Sequence, residues 1–120
     1  MLTLRRGIAK DIPKKLWRAI LASIPIACVD VIAYTRVDDS VLLGYRKISP
    51  YRNRWALPGG RIIKKESLCD TANRQLEEIG VRPAGNYRLV GVYPVNFKDR
   101  SDISICLCTC LPASQTASNK

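Results

Sequence analysis

A chain of 120 residues with a 47% hydrophobic share is large enough for a real core, and no apolar run approaches membrane-spanning length. The net charge of +10 favours polyanionic partners such as nucleotides or nucleic acid without choosing among them. There is no histidine, which removes the usual neutral-pH acid–base group, and five cysteines are an odd number for a closed disulfide framework.

The opening stretch, MLTLRRGIAKDIPKK, is basic but lacks the apolar segment of a secretory signal. The cytoplasm is therefore the expected location, with the thiols free and mostly buried. One domain over 1–120 is expected, with 1–10 and 112–120 as flexible ends. Asp11 and Pro13 open a first helix through about Ser23, with Leu16, Trp17 and Ile20 on one face. IPIACVDVIAY (24–34) reads as a strand covered on both faces. VDDS then turns the chain, and VLLGYRK returns as the second strand of a hairpin. SPYRNR is a polar loop and WAL ends a short strand. PGG (58–60) is a tight turn, because glycine accepts positive φ and lets other groups approach the backbone.

Ser67 and Asp70 have the spacing of a capping box, so the next helix starts there and stops at Gly80. At roughly 100° per residue, Leu68, Ala72, Leu76 and Ile79 form an apolar stripe, while Arg74, Glu77 and Glu78 fall on roughly the opposite side. NYRLVGVYPVNF and DISICLCTCL supply two more strands.

Adjacent carboxylates near a glycine segment can hold a hard cation through oxygen, and without histidine Mg²⁺ or Mn²⁺ is favoured over zinc. Arg61 could neutralise phosphate oxygens beside them. The same spacing also fits an ordinary amphipathic helix with an Arg74–Glu78 i,i+4 contact, worth about 0.3 kcal/mol.

The segment from Gly60 to Val81 resembles the Nudix box, G-x5-E-x7-R-E-U-x-E-E-x-G-U with U aliphatic. Gly60, Glu66 and Arg74 match at the right spacings, and EEIGV matches its end. IPIACVDVIAY, LLGYR and WALPGGR resemble the branch that includes GDP-mannose mannosyl hydrolases and related nucleotide-sugar proteins. The resemblance implies an α/β/α sandwich of the α+β kind with a mixed sheet, shortened at the C-terminus. It implies a Mg²⁺-dependent (or Mn²⁺-dependent) hydrolase of a nucleoside diphosphate linked to another moiety. Gly60, Glu77 and Glu78 are the expected metal-holding residues, and Glu78, Glu77, Arg74 and Arg61 the expected catalytic set. Glu66 is expected to pair with Arg74. Arg46, Arg61, Asp30, Arg54 and Tyr93 are the expected substrate contacts.

Three departures weigh on activity. The box is one residue short between Arg74 and Gly80, so Glu78 fits whether counted from Arg74 or from Gly80, while Glu77 fits only the second count. Gln75 stands where many members have glutamate, and no histidine is present to act as a late base. The alternative is a catalytically weak Nudix-fold module that binds nucleotide or RNA; nucleic acid is the lesser expectation and membrane is not one. A homodimer is expected, with Leu16, Trp17 and Ile20 covering a partner's open surface. Cys106, Cys108 and Cys110 alternate at the strand period and read as a core face rather than a metal site.

Overall fold

The structure is a computed structural model that describes residues 12–48, 52–83 and 85–112. Asp11 and the expected flexible ends, except Pro112, lie outside the described residues. Helix α1 (Lys14–Ser23) starts directly after Pro13, whose carbonyl accepts the Trp17 N–H at 2.9 Å. It ends where Ile24 becomes extended ahead of Pro25, as the residue before proline prefers. No α1 side chain is fully buried, and Leu16 is 53% exposed.

Strand β1 (Ile26–Thr35) is the axis of a mixed sheet. It pairs in parallel with β7 (Ser101–Cys110), which pairs antiparallel with the edge strand β6 (Arg88–Asn96). On its other side β1 carries two short antiparallel strands, β2 (Ser40–Val41) at one end and β5 (Gly59–Arg61) at the other. The expected second strand is thus divided. Val41 closes the hairpin, and after Leu42 and Leu43 the chain leaves the main sheet. There β3 (Gly44–Tyr45) pairs with β4 (Trp55–Ala56), with Tyr45 and Trp55 edge to face at 5.2 Å.

Helix α2 (Leu68–Glu78) begins with the expected capping box: Ser67 Oγ accepts from Asp70 N, and Asp70 Oδ2 accepts from Ser67 N, each at 3.0 Å. It stops at Gly80, which adopts φ +81°. Ala72 and Leu76 are fully buried against Val29, Val31 and Ala33 of β1, with Val81, Leu107 and Leu111 completing the core. Burying Leu76 contributes about 2–3 kcal/mol. The stripe differs from expectation at its first position: Leu68 is exposed, and Thr71 and Gln75 are buried in its place. Leu68 lies in the first turn, before the helix reaches the sheet.

The two faces of β1 are unequally covered. Val29, Val31, Ala33 and Thr35 are buried on the α2 side, where only Ala27 at the strand start is exposed; on the other side Ile26 and Cys28 are buried, but Asp30, Ile32 and Tyr34 are half-buried. The apolar run concealed this because Ile32 and Tyr34 on that second face are as apolar as the residues opposite.

Candidate functional site

The PGG segment is not a tight turn. Gly59 and Gly60 are in β5, and neither is among the positive-φ residues. They are glycines because of close approach. A Cβ on Gly59 would collide with Asp30 and lie 2.8 Å from the Val29 carbonyl; one on Gly60 would lie 2.7 Å from the Gln75 amide. Strand β5 therefore touches a different functional cluster on each side.

On the α2 side, Arg74 is the hub. Its Nε donates to Glu66 Oε2 at 2.8 Å, and its Nη2 donates to Glu66 Oε1 at 2.9 Å and to the Arg61 carbonyl at 2.8 Å. Glu66 also accepts from Ile63 N and Thr71 Oγ1, both at 2.9 Å. The Arg74 hydrogen bonds, aided by those donors against partial burial, hold the Glu66 carboxyl down at about 2. The implied Glu66–Arg74 pair is present, and Glu78 Oε2 lies 3.8 Å from Arg74 Nη1.

Gln75 is 6% exposed. With its amide oriented to satisfy both neighbours, its NH₂ donates to the Gly59 carbonyl at 2.9 Å and its oxygen accepts from Arg74 Nη1 at 3.0 Å. The β1–β5 register explains why Gly59 is the carbonyl that meets α2. Ile62 N donates to Ala27 O and Val31 N to Pro58 O, so Val29 and Gly60 form the hydrogen-bonded pair between them. The Gly60 carbonyl belongs to that ladder, and the Gly59 carbonyl points out of it. Glu77 sits elsewhere: it is exposed, near Tyr87, whose phenol is pushed up to about 12 mainly by burial, with smaller help from Cys69 and Glu77, and whose hydroxyl donates to Asn73 at 2.6 Å. The helix turn of roughly 100° per residue separates Glu77 from Glu78.

The opposite sheet face holds a second cluster. Cross-strand register aligns Arg61, Cys28, Ser104 and Tyr93 in one row across four strands. The adjacent row is Gly59, Asp30, Cys106 and Gly91, with Asp30 flanked by Cys106 and by glycines on the outer strands. Ser104 Oγ donates to Asp30 Oδ2. Burial pushes the Asp30 carboxyl above the usual range, opposed by the Ser104 hydrogen bond and by the charge of Arg46. Burial likewise pulls the half-buried Arg46 guanidinium down, while Asp30 opposes the change. Beside them Arg100 donates to Asp102 Oδ1 through Nε at 2.9 Å and Nη2 at 2.7 Å. The Arg61 and Arg100 guanidiniums lie over the Trp17 ring, at 5.4 and 5.9 Å from its centre.

Strand alternation thus sends the Arg61 side chain to the face opposite Glu66 and Glu78, whereas its carbonyl meets Arg74. Asp30, Arg46, Arg61 and Tyr93 are brought to one side of the sheet, with Tyr93 half-exposed. Arg54 is exposed at the β3–β4 hairpin, where its carbonyl accepts from Arg46 N at 2.9 Å. Sequence reasoning did not pick out Trp17 as a site residue, nor Ser104, Arg100 or Asp102. Ser104 becomes visible only through the parallel β1–β7 register, which no local pattern encodes.

All the oxygen donors near the box suit a hard cation that keeps part of its water. Both Glu66 oxygens are held by close Arg74 hydrogen bonds, whereas Glu78 lies 3.8 Å from Arg74 and the Gly59 carbonyl keeps a second lone pair beside Gln75, so these two are the candidate donors. Among the described residues, no group of three His, Cys, Asp or Glu side chains is gathered around one point.

Comparison with known proteins gives these features a family. The NUDIX domain family matches residues 25–119, so the chain belongs to that family. It is 40% identical over 93 residues to the low-salt glycan biosynthesis protein Agl8 of Haloferax volcanii, a match covering 77% of this chain and 57% of that protein. The NUDIX domain of Shewanella oneidensis NrtR, in complex with ADP ribose, superposes with a TM-score of 0.64 at 24% identity over 83% of this chain and 71% of that one. A bifunctional NMN adenylyltransferase/ADP ribose pyrophosphatase from Francisella tularensis, with AMP and a Mn ion, gives 0.62 at 21% identity, covering 82% and 31%. The fold and family read from the box are borne out. The chain spans just over half the length of its curated relative.

Proposed function

We propose that this Nudix domain hydrolyses a nucleoside diphosphate linked to another group, a nucleotide sugar or close analogue, with Mg²⁺ or Mn²⁺. Strand β5 carries the reading. Its Gly59 carbonyl faces the carboxylate helix, while Arg61, two residues on, enters the half-buried Asp30–Arg46 face. A diphosphate lying over the end of β5 could meet both. Arg61 and Arg46 bind the phosphates. Asp30, fixed by Ser104, accepts from a hydroxyl or ring N–H of the ligand. Glu78 and the Gly59 carbonyl would hold the cation, with Glu77 at the exposed edge and Arg74 orienting Glu78. When bound, the cation would neutralise phosphate charge and activate water.

The Agl8 relative supports the sugar-linked class, since glycan assembly consumes activated sugars. The neighbours described with ADP ribose and with AMP and Mn support a nucleotide and a divalent cation. Five free thiols suit a reducing compartment such as the cytoplasm. A homodimer is the proposed assembly, using exposed Leu16 and the β6 residues Leu89, Val90 and Val92.

One observation favours the alternative of binding without efficient turnover: Gln75 already satisfies the Gly59 carbonyl and Arg74, where a carboxylate would invite a cation. A panel of ADP-, GDP- and UDP-sugars with Mg²⁺ and Mn²⁺, read by product mass and labelled-water incorporation, separates the two. We expect metal-stimulated cleavage that falls at least about 100-fold in Glu78→Gln, roughly 2.7 kcal/mol of barrier. Tight binding with no metal-stimulated product would overturn the hydrolase reading in favour of the binding module.

A further inference from the structure

Helix α1 buries none of its side chains fully, yet one of its aromatic rings meets the arginines on the Asp30 face of the sheet. Trp17 is half-buried and lies beneath two guanidiniums from distant segments, Arg61 of β5 and Arg100 from the turn between β6 and β7. Arginine stacks on an aromatic ring through its flat face, which leaves its N–H donors to work in the plane. Arg100 shows this division of labour: one guanidinium lies over Trp17 and also holds Asp102 Oδ1 through two nitrogens.

We propose that Trp17 is a positioning residue that sets the orientation of the Arg61 guanidinium for a phosphate of the ligand, making α1 part of the substrate cleft. The inference rests on the reading of Arg61 as a phosphate contact. It changes the part first expected of Trp17, a dimer-covering residue alongside Leu16 and Ile20. The ring instead links α1 to β5, where Arg61 pairs with Cys28, and to the Arg100–Asp102 pair, where Asp102 pairs with Ile26 in the next row. A planar cation held on a ring has fewer orientations to lose on binding than one on a free stem, so affinity depends on the ring without any contact between ring and ligand.

The test uses the full chain with ADP and GDP as probes, in the presence of Mg²⁺. Trp17→Phe, which keeps a π face, is expected to bind within about threefold of the unaltered protein. Trp17→Leu, which keeps apolar bulk only, is expected to bind at least tenfold more weakly. Arg61→Ala should lose at least as much, and Trp17→Leu combined with Arg61→Ala should bind no more weakly than Arg61→Ala alone. That non-additivity is the signature of one residue acting through the other. With Trp55→Phe, Trp17 is the sole tryptophan, and Arg61→Ala should shift its emission without any ligand. Normal binding by Trp17→Leu alongside a loss in Arg61→Ala would overturn the role of Trp17 and leave the phosphate reading intact. An emission shift with no loss of binding in Arg61→Ala would instead sink the phosphate reading, and this inference with it. Fully additive losses would reduce Trp17 to a structural prop and refute the proposal.

Discussion

The two sides of strand β5 are polar in opposite ways. Toward α2, each charged group is answered by the protein: Glu66 has four donors, Arg74 clamps Glu66 and the Arg61 carbonyl, and Gln75 spans from Gly59 to Arg74. Toward Trp17, carboxyls and guanidiniums are half-buried and shifted against their charged forms, Asp30 upward and Arg46 downward, both mainly by burial. The first arrangement stabilises the fold; the second buries charge at a cost in stability, which the proposed ligand would offset. Half-buried groups shifted against their charged forms are candidates for function. In this chain, therefore, much of the box acts as scaffold, and the far face is where the proposed recognition falls.

The largest expected effect comes from breaking the scaffold side. Arg74→Met leaves Glu66 with its two remaining donors and no cation, and frees the Arg61 carbonyl. Removing one partner of a partly buried pair of this kind costs about 3 kcal/mol. Urea unfolding should show it. A loss below about 1 kcal/mol would mean that the clamp is a surface contact after all.

Breaking the other side should move stability and binding in opposite directions. Asp30→Asn removes a carboxylate that burial disfavours, and the amide can still accept from Ser104. We expect nucleoside diphosphate derivatives to bind about tenfold more weakly, about 1.4 kcal/mol. Stability should hold or rise by about 0.5 kcal/mol, the trade-off seen when a destabilised functional charge is removed. Joint loss of stability and binding would place Asp30 with the scaffold and erase the contrast.

The scaffold side also sets an acid limit. Glu66 is depressed from 4.5 to about 2, so the stabilisation it provides is complete above its unfolded pKa and is lost as pH falls through that window. With partial exposure discounted, this amounts to about 2 kcal/mol between pH 5 and 2. Glu66→Gln should flatten that part of the stability–pH curve. An unchanged acid limb would show that other carboxylates govern it.

How much of this was legible differs between the two sides. The capping box, the Gly80 stop, the Glu66–Arg74 pair and the position of Glu78 all lie within one short segment, where helix periodicity and the box spacing act locally. The rest depends on register. That Arg61 leaves on the face away from Glu78 follows from β5 being a strand, and PGG looked like a turn because close approach and positive φ both select glycine. That Ser104 reaches Asp30 follows from a parallel pairing of segments over 70 residues apart. VLLGYRK read as one strand because its branched residues favour extension, but after Leu42, whose N–H still donates to the Ala33 carbonyl, the chain leaves β1 before Gly44.

The smallest expected effect tests polar satisfaction in the core itself. Of the three threonines buried on the α2 side, Thr35, Thr71 and Thr109, the last two differ in how their hydroxyls are satisfied. Thr71 donates to Glu66 Oε1 at 2.9 Å and reaches the Ser67 carbonyl at 3.2 Å. Thr109, 3% exposed on β7 opposite Ala33, has a buried hydroxyl with no hydrogen-bond partner among the described residues. A buried hydroxyl left unmade costs about 1–3 kcal/mol, and valine reproduces the shape of threonine without it. Its β-branched form also suits a strand. Thr109→Val should therefore stabilise by about 1 kcal/mol and raise Tm by roughly 4 °C. Thr71→Val, the same chemical change, should destabilise by about 1–2 kcal/mol because it strips a donor from Glu66. Calorimetry on both variants decides the matter. If both lose stability equally, Thr109 has a partner in solution, and the α2 side is satisfied throughout, down to its last hydroxyl.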